Sequence, residues 1–166
     1  MRLWFKQRLF SWLDSYDIYH ENGSVAYTVK GQLALGHCLH ILDDKDSHVA
    51  TLWQDVSSVI PRFELYEGDA LVGVIRREPT FVKPHYEIDC NGWQVKGDFL
   101  AWDYIIKDPE GRVAATISKE FINLTDTYSI RVADPRDALR AVMVVLAIDA
   151  DKCSRGAGRL WFLRRF

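Results

Sequence analysis

Residues 134–150 read DPRDALRAVMVVLAIDA, and this stretch decides the fold. It opens as a helix start, because the carboxylate of Asp134 can cap a helix and Pro135 suits the first helical position. Residues 138–150 are apolar on almost every side, whereas a surface helix keeps a polar face. Three Val and one Ile among them are β-branched, so intrinsic propensity does not explain the helix. The stretch predicts a helix over residues 135–150 that the rest of the chain buries.

The residues before position 134 have the patterns of β structure. Asn22-Gly23 and Asn91-Gly92 suit two-residue hairpin turns, because Asn and Gly tolerate positive φ. Short runs of alternating apolar residues lie between such breaks, as in residues 128–132. Counting these runs gives about twelve strands joined as successive hairpins. The sequence therefore predicts a mainly β fold, a closed barrel of about twelve antiparallel strands whose lumen is filled by the one buried C-terminal helix.

The charge of the chain divides it into a body and a tail. The 166 residues carry a formal net charge of −2 and suit one domain. Residues 151–166 hold five basic residues against Asp151 alone, a net charge of +4, whereas residues 1–150 carry −6. We therefore predict a barrel domain over residues 1–150 and a basic, aromatic tail over residues 151–166, with Gly156 and Gly158 as a flexible joint.

The cysteines and the apolar runs indicate the compartment. Cys38, Cys90 and Cys153 form no CxxC pair and are odd in number, so a disulfide framework is not expected and a reducing compartment is favoured. Lys6 and Arg8 fall where a signal peptide needs its apolar stretch. The longest unbroken apolar run, residues 141–148, is far shorter than the roughly 20 residues of a membrane span. These features predict a cytoplasmic protein.

No sequence motif points to catalysis, to a cofactor or to nucleic acid. The chain has no GxSxG elbow, no P-loop and no GxGxxG fingerprint, and its body is acidic. We therefore predict a protein that is not an enzyme and has no catalytic residues, cofactor or nucleic-acid partner.

Two groups of possible metal ligands also have simpler explanations. His37, His40 and His48 flank an acidic loop, but alternation sends His37 and His40 to opposite faces of one strand. The loop itself, residues 43–46, lacks the Gly and Glu of an EF-hand. Surface histidines and a solvated turn are the better interpretation, and no metal site is predicted.

Several segments together resemble the LURP-one-related family, which shares the tubby C-terminal-like fold with phospholipid scramblases. The segments that carry the resemblance are Lys6-Gln7-Arg8, Phe10-Ser11-Trp12, Pro61-Arg62-Phe63-Glu64-Leu65, residues 92–99, Trp102-Asp103-Tyr104, Asp126-Thr127-Tyr128 and Asp134-Pro135. They cover about residues 1–150 in order, and the tail lies outside them. The resemblance implies a twelve-stranded barrel around a central helix. Tubby proteins bind phosphoinositides and scramblases act at membranes with calcium, but a shared fold does not by itself transfer an activity.

Two functions remain open. The first is a non-enzymatic binding module or adaptor for anionic phospholipid, peripheral at the membrane, because aromatic residues beside arginines suit a membrane interface. Its predicted lipid contacts are Trp161, Phe162, Arg164, Arg165 and Arg77. The second is an intracellular scaffold, linked to stress or defence, that binds another protein and has no lipid role.

Overall fold

The computed structural model describes residues 1–6, 15–57, 60, 62–78, 85–98, 103–120 and 127–163, with only the backbone at Lys6, Leu33 and His85 and from Cys153 onward. Its strands are β1 (Arg2–Lys6), β2 (Ser15–His20), β3 (Val25–Ala34), β4 (Gly36–Leu42), β5 (His48–Asp55), β6 (Arg62–Glu67), β7 (Ala70–Glu78), β8 (His85–Asp89), β9 (Gln94–Asp98), β10 (Asp103–Lys107), β11 (Val113–Glu120) and β12 (Thr127–Val132). A 3₁₀ turn (Pro135–Asp137) leads into helix α1 (Ala138–Leu163).

The strands form one antiparallel sheet whose order confirms the predicted barrel of hairpins. The order is β8-β7-β6-β5-β4-β3-β2-β1-β12-β11-β10-β9, so strands that follow each other in the chain are paired except β8 and β9, and β1 pairs with β12. The sheet begins at β8 and ends at β9, which a short turn joins at Asn91 and Gly92. Both turn residues have positive φ, 54° and 65°, as the Asn-Gly dipeptide predicted. Within the described strands no ladder pairs β8 with β9, so the barrel is nearly closed.

Alternation sends one set of side chains from every strand into the barrel, where they pack on α1. Buried members of this set include Leu3, Ile18, Val29, Ile41, Leu52, Leu65, Ile75, Ile106, Ile117 and Ile130. The helix meets them with a continuous run, because residues 141–151 are all buried. The β-branched residues in this run are tolerated because tertiary packing, not propensity, stabilises the helix. The prediction of a helix buried in the barrel is confirmed.

Helix α1 begins at one end of the barrel and leaves the apolar core at the other. At the end we call the base, Asp134 caps the 3₁₀ turn by accepting a hydrogen bond from the Arg136 amide, 2.9 Å away. The Arg136 side chain also binds this carboxylate, and these bonds lower the pKa of Asp134 to about 2. Arg140 then pairs with Glu67 on β6, with Nε 2.6 Å from Oε1. We call the opposite end, where α1 leaves the apolar core after Asp151, the exit end.

Candidate functional site

Polar side chains collect inside the barrel at the exit end. Asp151 on α1 is 1% exposed. Its Oδ2 accepts a hydrogen bond from the Tyr86 hydroxyl of β8, 2.7 Å away. The Nη1 atom of Arg77, on β7, lies 3.8 Å from Oδ1 of the same carboxyl group. Asp151 therefore ties the last buried turn of the helix to two neighbouring strands.

Two more titratable side chains face this end of the interior. His37 lies on β4, on the same face as Leu39 and Ile41, and its backbone amide donates to Gln54 Oε1 at 3.0 Å. Burial lowers the pKa of His37 to about 4, and the nearby Asp151 carboxyl opposes that shift. Burial raises the pKa of Tyr104 well above its usual value, and Asp149 adds to that effect. We call Asp149, Asp151, Arg77, Tyr86, Tyr104 and His37 the exit cluster.

The chemistry of the exit cluster suits attachment of the helix. The Asp151 carboxyl group is buried, so removing a hydrogen-bond partner leaves it unsatisfied inside the protein, which costs about 1–3 kcal/mol. The cluster therefore fixes where α1 sits along the barrel axis. Its members are far apart in the sequence and form no motif, although Asp149 and Asp151 stand out as acids at the end of an apolar run.

Arg77 was predicted to contact lipid, but its side chain points toward helix α1. Arg76 is exposed and Arg77 is half-buried, so these adjacent side chains lie on opposite faces of β7. The Arg77 side chain follows the inner face, as Ile75 does, and pairs with Asp151. Because its charge is directed to the helix, we do not assign Arg77 to a lipid headgroup. The side chains of Trp161 and Phe162, and all of Arg164 and Arg165, lie outside the described residues.

The helix continues well beyond the residue at which the sequence predicted its end. Its backbone is helical to Leu163, so Gly156 and Gly158 fall within the helix and the joint predicted at these glycines is wrong. Propagation explains the difference, because each residue added to an existing helix gains a hydrogen bond without the cost of nucleation. The basic segment begins at Lys152 and is therefore joined to the buried helix by continuous helical backbone.

The outer face of the barrel carries the other histidines. His40 Nδ1 lies 3.4 Å from His48 Nε2, and the hydroxyl of Thr51 lies 2.9 Å from the same nitrogen of His48. His40 is thus outside and His37 inside, as alternation predicted. Within the described ranges, no group of three or more His, Cys, Asp or Glu side chains is arranged to hold a metal ion.

The acidic loop, residues 43–46, is stabilised by one of its own side chains. Asp43 Oδ1 accepts hydrogen bonds from the amides of Lys45 and Ser47, at 2.9 and 2.8 Å, which makes the loop a side-chain-capped turn.

A shallow groove of about 340 Å³ lies on β5 and β6, lined by Thr51, Trp53, Glu64, Tyr66, Gly68 and Asp69. Its central carboxylate, Glu64, is held by Arg62 at 3.1 Å and by the Tyr66 hydroxyl at 2.7 Å.

No helix in the described part of the chain is both long and apolar enough to span a bilayer.

Known proteins match the chain over nearly its whole length. It is 27% identical over 150 residues to the "Uncharacterized protein YxjI" of Bacillus subtilis (strain 168), covering 90% of this chain and 92% of that protein. An X-ray structure of a protein from Arabidopsis thaliana matches with a TM-score of 0.58 at 16% identity, over 89% of this chain and 91% of the other. That likeness shows the shared fold. The family model described as LURP-one-related matches residues 1–149. The barrel with its central helix, together with this match, shows that the chain belongs to the LURP-one-related family.

Proposed function

We propose that this protein is a non-enzymatic binding module that attaches to anionic phospholipid surfaces through residues 152–166. The observation that supports it best is the continuation of α1 from the buried Asp151 to Leu163. Residues 152–166 contain five basic and no acidic residues, with Trp161 and Phe162 among them. A helix fixed inside the barrel therefore continues directly into the most basic part of the chain.

The size of the attraction can be worked out from the charges. Each basic residue near an anionic leaflet contributes about 1 kcal/mol, so the four arginines of the segment contribute on the order of 4 kcal/mol before screening by salt, whereas the Nζ atom of Lys152 is buried. Residues 1–150 carry a net charge of −6, which the same leaflet repels. Charges that lie farther from the leaflet than the Debye length of about 8 Å at physiological salt are largely screened, so most of the negative charge of the barrel adds little repulsion when residues 152–166 face the leaflet.

The filled interior supports a role in binding at the surface. Because α1 occupies the lumen with apolar side chains, a ligand has to bind at the outer wall or at an end of the barrel. In this proposal the protein works in the cytoplasm and associates peripherally with the membrane.

A protein-binding scaffold without a lipid role is the second candidate. The observation that favours it is the groove on β5 and β6, where Trp53 is 42% exposed beside Tyr66. Aromatic side chains are enriched at protein interfaces, and an exposed Trp is a frequent anchor.

Vesicle sedimentation separates the two candidates. The full chain is mixed with vesicles of phosphatidylcholine alone and, separately, with vesicles that also contain about 30% phosphatidylserine. The anionic lipid gives the second kind of vesicle a negative surface potential. We expect binding only to the anionic vesicles, weakened by salt, and lost on truncation after Lys152. Changing Arg155, Arg159, Arg164 and Arg165 to Ala should have the same effect as the truncation.

A matched control removes the same charge from the barrel. Lys30, Lys45, Arg76 and Lys96 are all exposed, and their replacement by Ala should leave vesicle binding in place. Equal loss in both quadruple variants would show a general charge effect and refute attachment through the C-terminal segment. If the full chain binds no vesicles, the lipid proposal is wrong and the scaffold becomes the leading candidate.

A further inference from the structure

Large apolar side chains are unevenly exposed over the barrel. Among the described residues, the exposed ones are Met1, Leu35, Trp53, Val56, Ile60, Leu71 and Val113. Four of these seven, Leu35, Trp53, Val56 and Ile60, belong to the β3–β4 turn or to β5 and the residues that follow it. Contiguous exposed apolar surface marks an interaction site more often than scattered residues do.

Strand pairing brings the most exposed of these residues together. Leu35 is 84% exposed at the turn between β3 and β4, and Val56 is 53% exposed just after β5. Cys38 on β4 pairs with Trp53 on β5, so the ladder runs toward Leu35 and Val56 at the same level. The intervening Gly36 packs so closely that a Cβ atom there would lie 2.5 Å from Val56 Cγ1. We call Leu35 and Val56 the apolar tip.

The apolar tip lies at the end of the barrel where the helix leaves the core. On β5, Ala50 pairs with Glu67, which binds Arg140 at the base, so Asp55 and Val56 lie at the opposite end of the strand, and Leu35 lies beside Val56. Asp151 is followed directly by the basic segment. The apolar tip and the cationic helical segment therefore lie at the same end of the molecule.

The nearest acidic group at the tip is already occupied. Asp55 Oδ1 accepts hydrogen bonds from the amide and hydroxyl of Ser57, at 2.9 and 2.6 Å, and its other oxygen lies 4.0 Å from Arg62. These contacts reduce the repulsion that its charge would meet at an anionic surface. Apolar side chains beside basic groups are the combination that binds the interface of an anionic bilayer, and stable attachment generally needs two such signals.

We propose that the apolar tip is a second membrane contact, in which Leu35 and Val56 enter the interface of an anionic bilayer beside the helical segment. This inference rests on the proposed function and adds to it a defined contact face on the barrel. It also fixes the orientation of the protein, with the exit end toward the lipid and the base toward water.

Site-directed fluorescence tests the tip directly. An environment-sensitive NBD label is attached to Cys at position 35 or 56 (Leu35→Cys or Val56→Cys) in the full chain carrying Cys153→Ser. Leu71→Cys and Val113→Cys are the matched controls, because these residues are 53% and 46% exposed and lie beside the turns at the base. On anionic vesicles that contain brominated lipid, we expect quenching and a blue shift at positions 35 and 56 and neither effect at 71 and 113.

A second measurement uses unlabelled protein. The pair Leu35→Ser and Val56→Ser should weaken sedimentation with anionic vesicles by about five- to tenfold, since two partly buried apolar side chains are lost from the contact. The pair Leu71→Ser and Val113→Ser should change it by less than about twofold.

The outcomes separate this inference from the proposed function. If vesicles bind but positions 35 and 56 behave like positions 71 and 113, the tip contact is wrong and attachment through the C-terminal segment stands. If the full chain does not bind anionic vesicles, both are wrong. Self-association in solution that the Leu35→Ser and Val56→Ser pair abolishes would assign the tip to a second copy of the chain and overturn the membrane contact.

Discussion

The hydrogen bond from Tyr86 to Asp151 offers a direct test of how the helix is held in the barrel. Tyr86→Phe removes one oxygen and leaves the ring, so packing changes little. The hydroxyl lies 2.7 Å from a carboxyl group that is 1% exposed, and Arg77 approaches the other oxygen. Hydrogen bonds to charged groups contribute about 1.5–3 kcal/mol to stability. We expect Tyr86→Phe to lower the free energy of unfolding by that amount, and the melting temperature by roughly 3–12 °C for a domain of this size.

The chain provides a matched control on its outer surface. The Tyr66 hydroxyl donates to Glu64 at the same distance, 2.7 Å, but this carboxylate is 22% exposed. Water can replace that bond, so Tyr66→Phe should cost less than about 1 kcal/mol. Urea unfolding followed by circular dichroism measures both variants. If Tyr86→Phe costs no more than Tyr66→Phe, the exit cluster does not hold the helix as argued.

Three further predictions concern the helix, the segment beyond it and pH. Val144→Asp should abolish soluble folding, because it puts a charge in the center of the barrel; a soluble variant with a cooperative melting curve would contradict the central position of α1. Deleting residues 153–166 should change the melting temperature by less than about 4 °C if the segment is an appendage, whereas a larger drop would show that it packs on the barrel. The folded pKa of His37, about 4, is below its unfolded value of 6.5, so its contribution to stability is complete above pH 6.5 and is lost as pH falls toward 4. His37→Gln should therefore flatten the dependence of the urea midpoint on pH between 4 and 6.5.

Rules that depend on a few neighbouring residues were sufficient to predict where the helix begins and where a hairpin turn lies. Asp134 and Pro135 predicted the start of the helix, and the structure has the cap and the 3₁₀ turn there. The Asn91-Gly92 dipeptide predicted a turn with positive φ at both residues, and both have it. These features depend on a few neighbouring residues, and short-range sterics and hydrogen bonds are visible in the sequence itself.

The candidate site could be predicted only in part. The charge of residues 152–166 is a property of composition, so it could be predicted from the sequence. The apolar tip requires Leu35 and Val56 to be neighbours, and that follows from the pairing of β4 with β5. Arg77 looked available for a ligand because alternation gives two faces without saying which one is the interior. The pairing of β7 with β8 and the position of Asp151 decided that.

The sequence by itself determined that this chain is a barrel of hairpins around an apolar helix, because alternation, turn dipeptides and an unbroken apolar run are local patterns. Only the tertiary structure decided which residues meet. It placed Tyr86, Arg77 and Asp151 together across 65 to 74 positions of the chain, and it continued α1 beyond its two glycines. The physical reason is that contact between distant residues depends on strand register and on the position of the helix along the barrel axis. Both are set by the packing of the whole core rather than by any one segment.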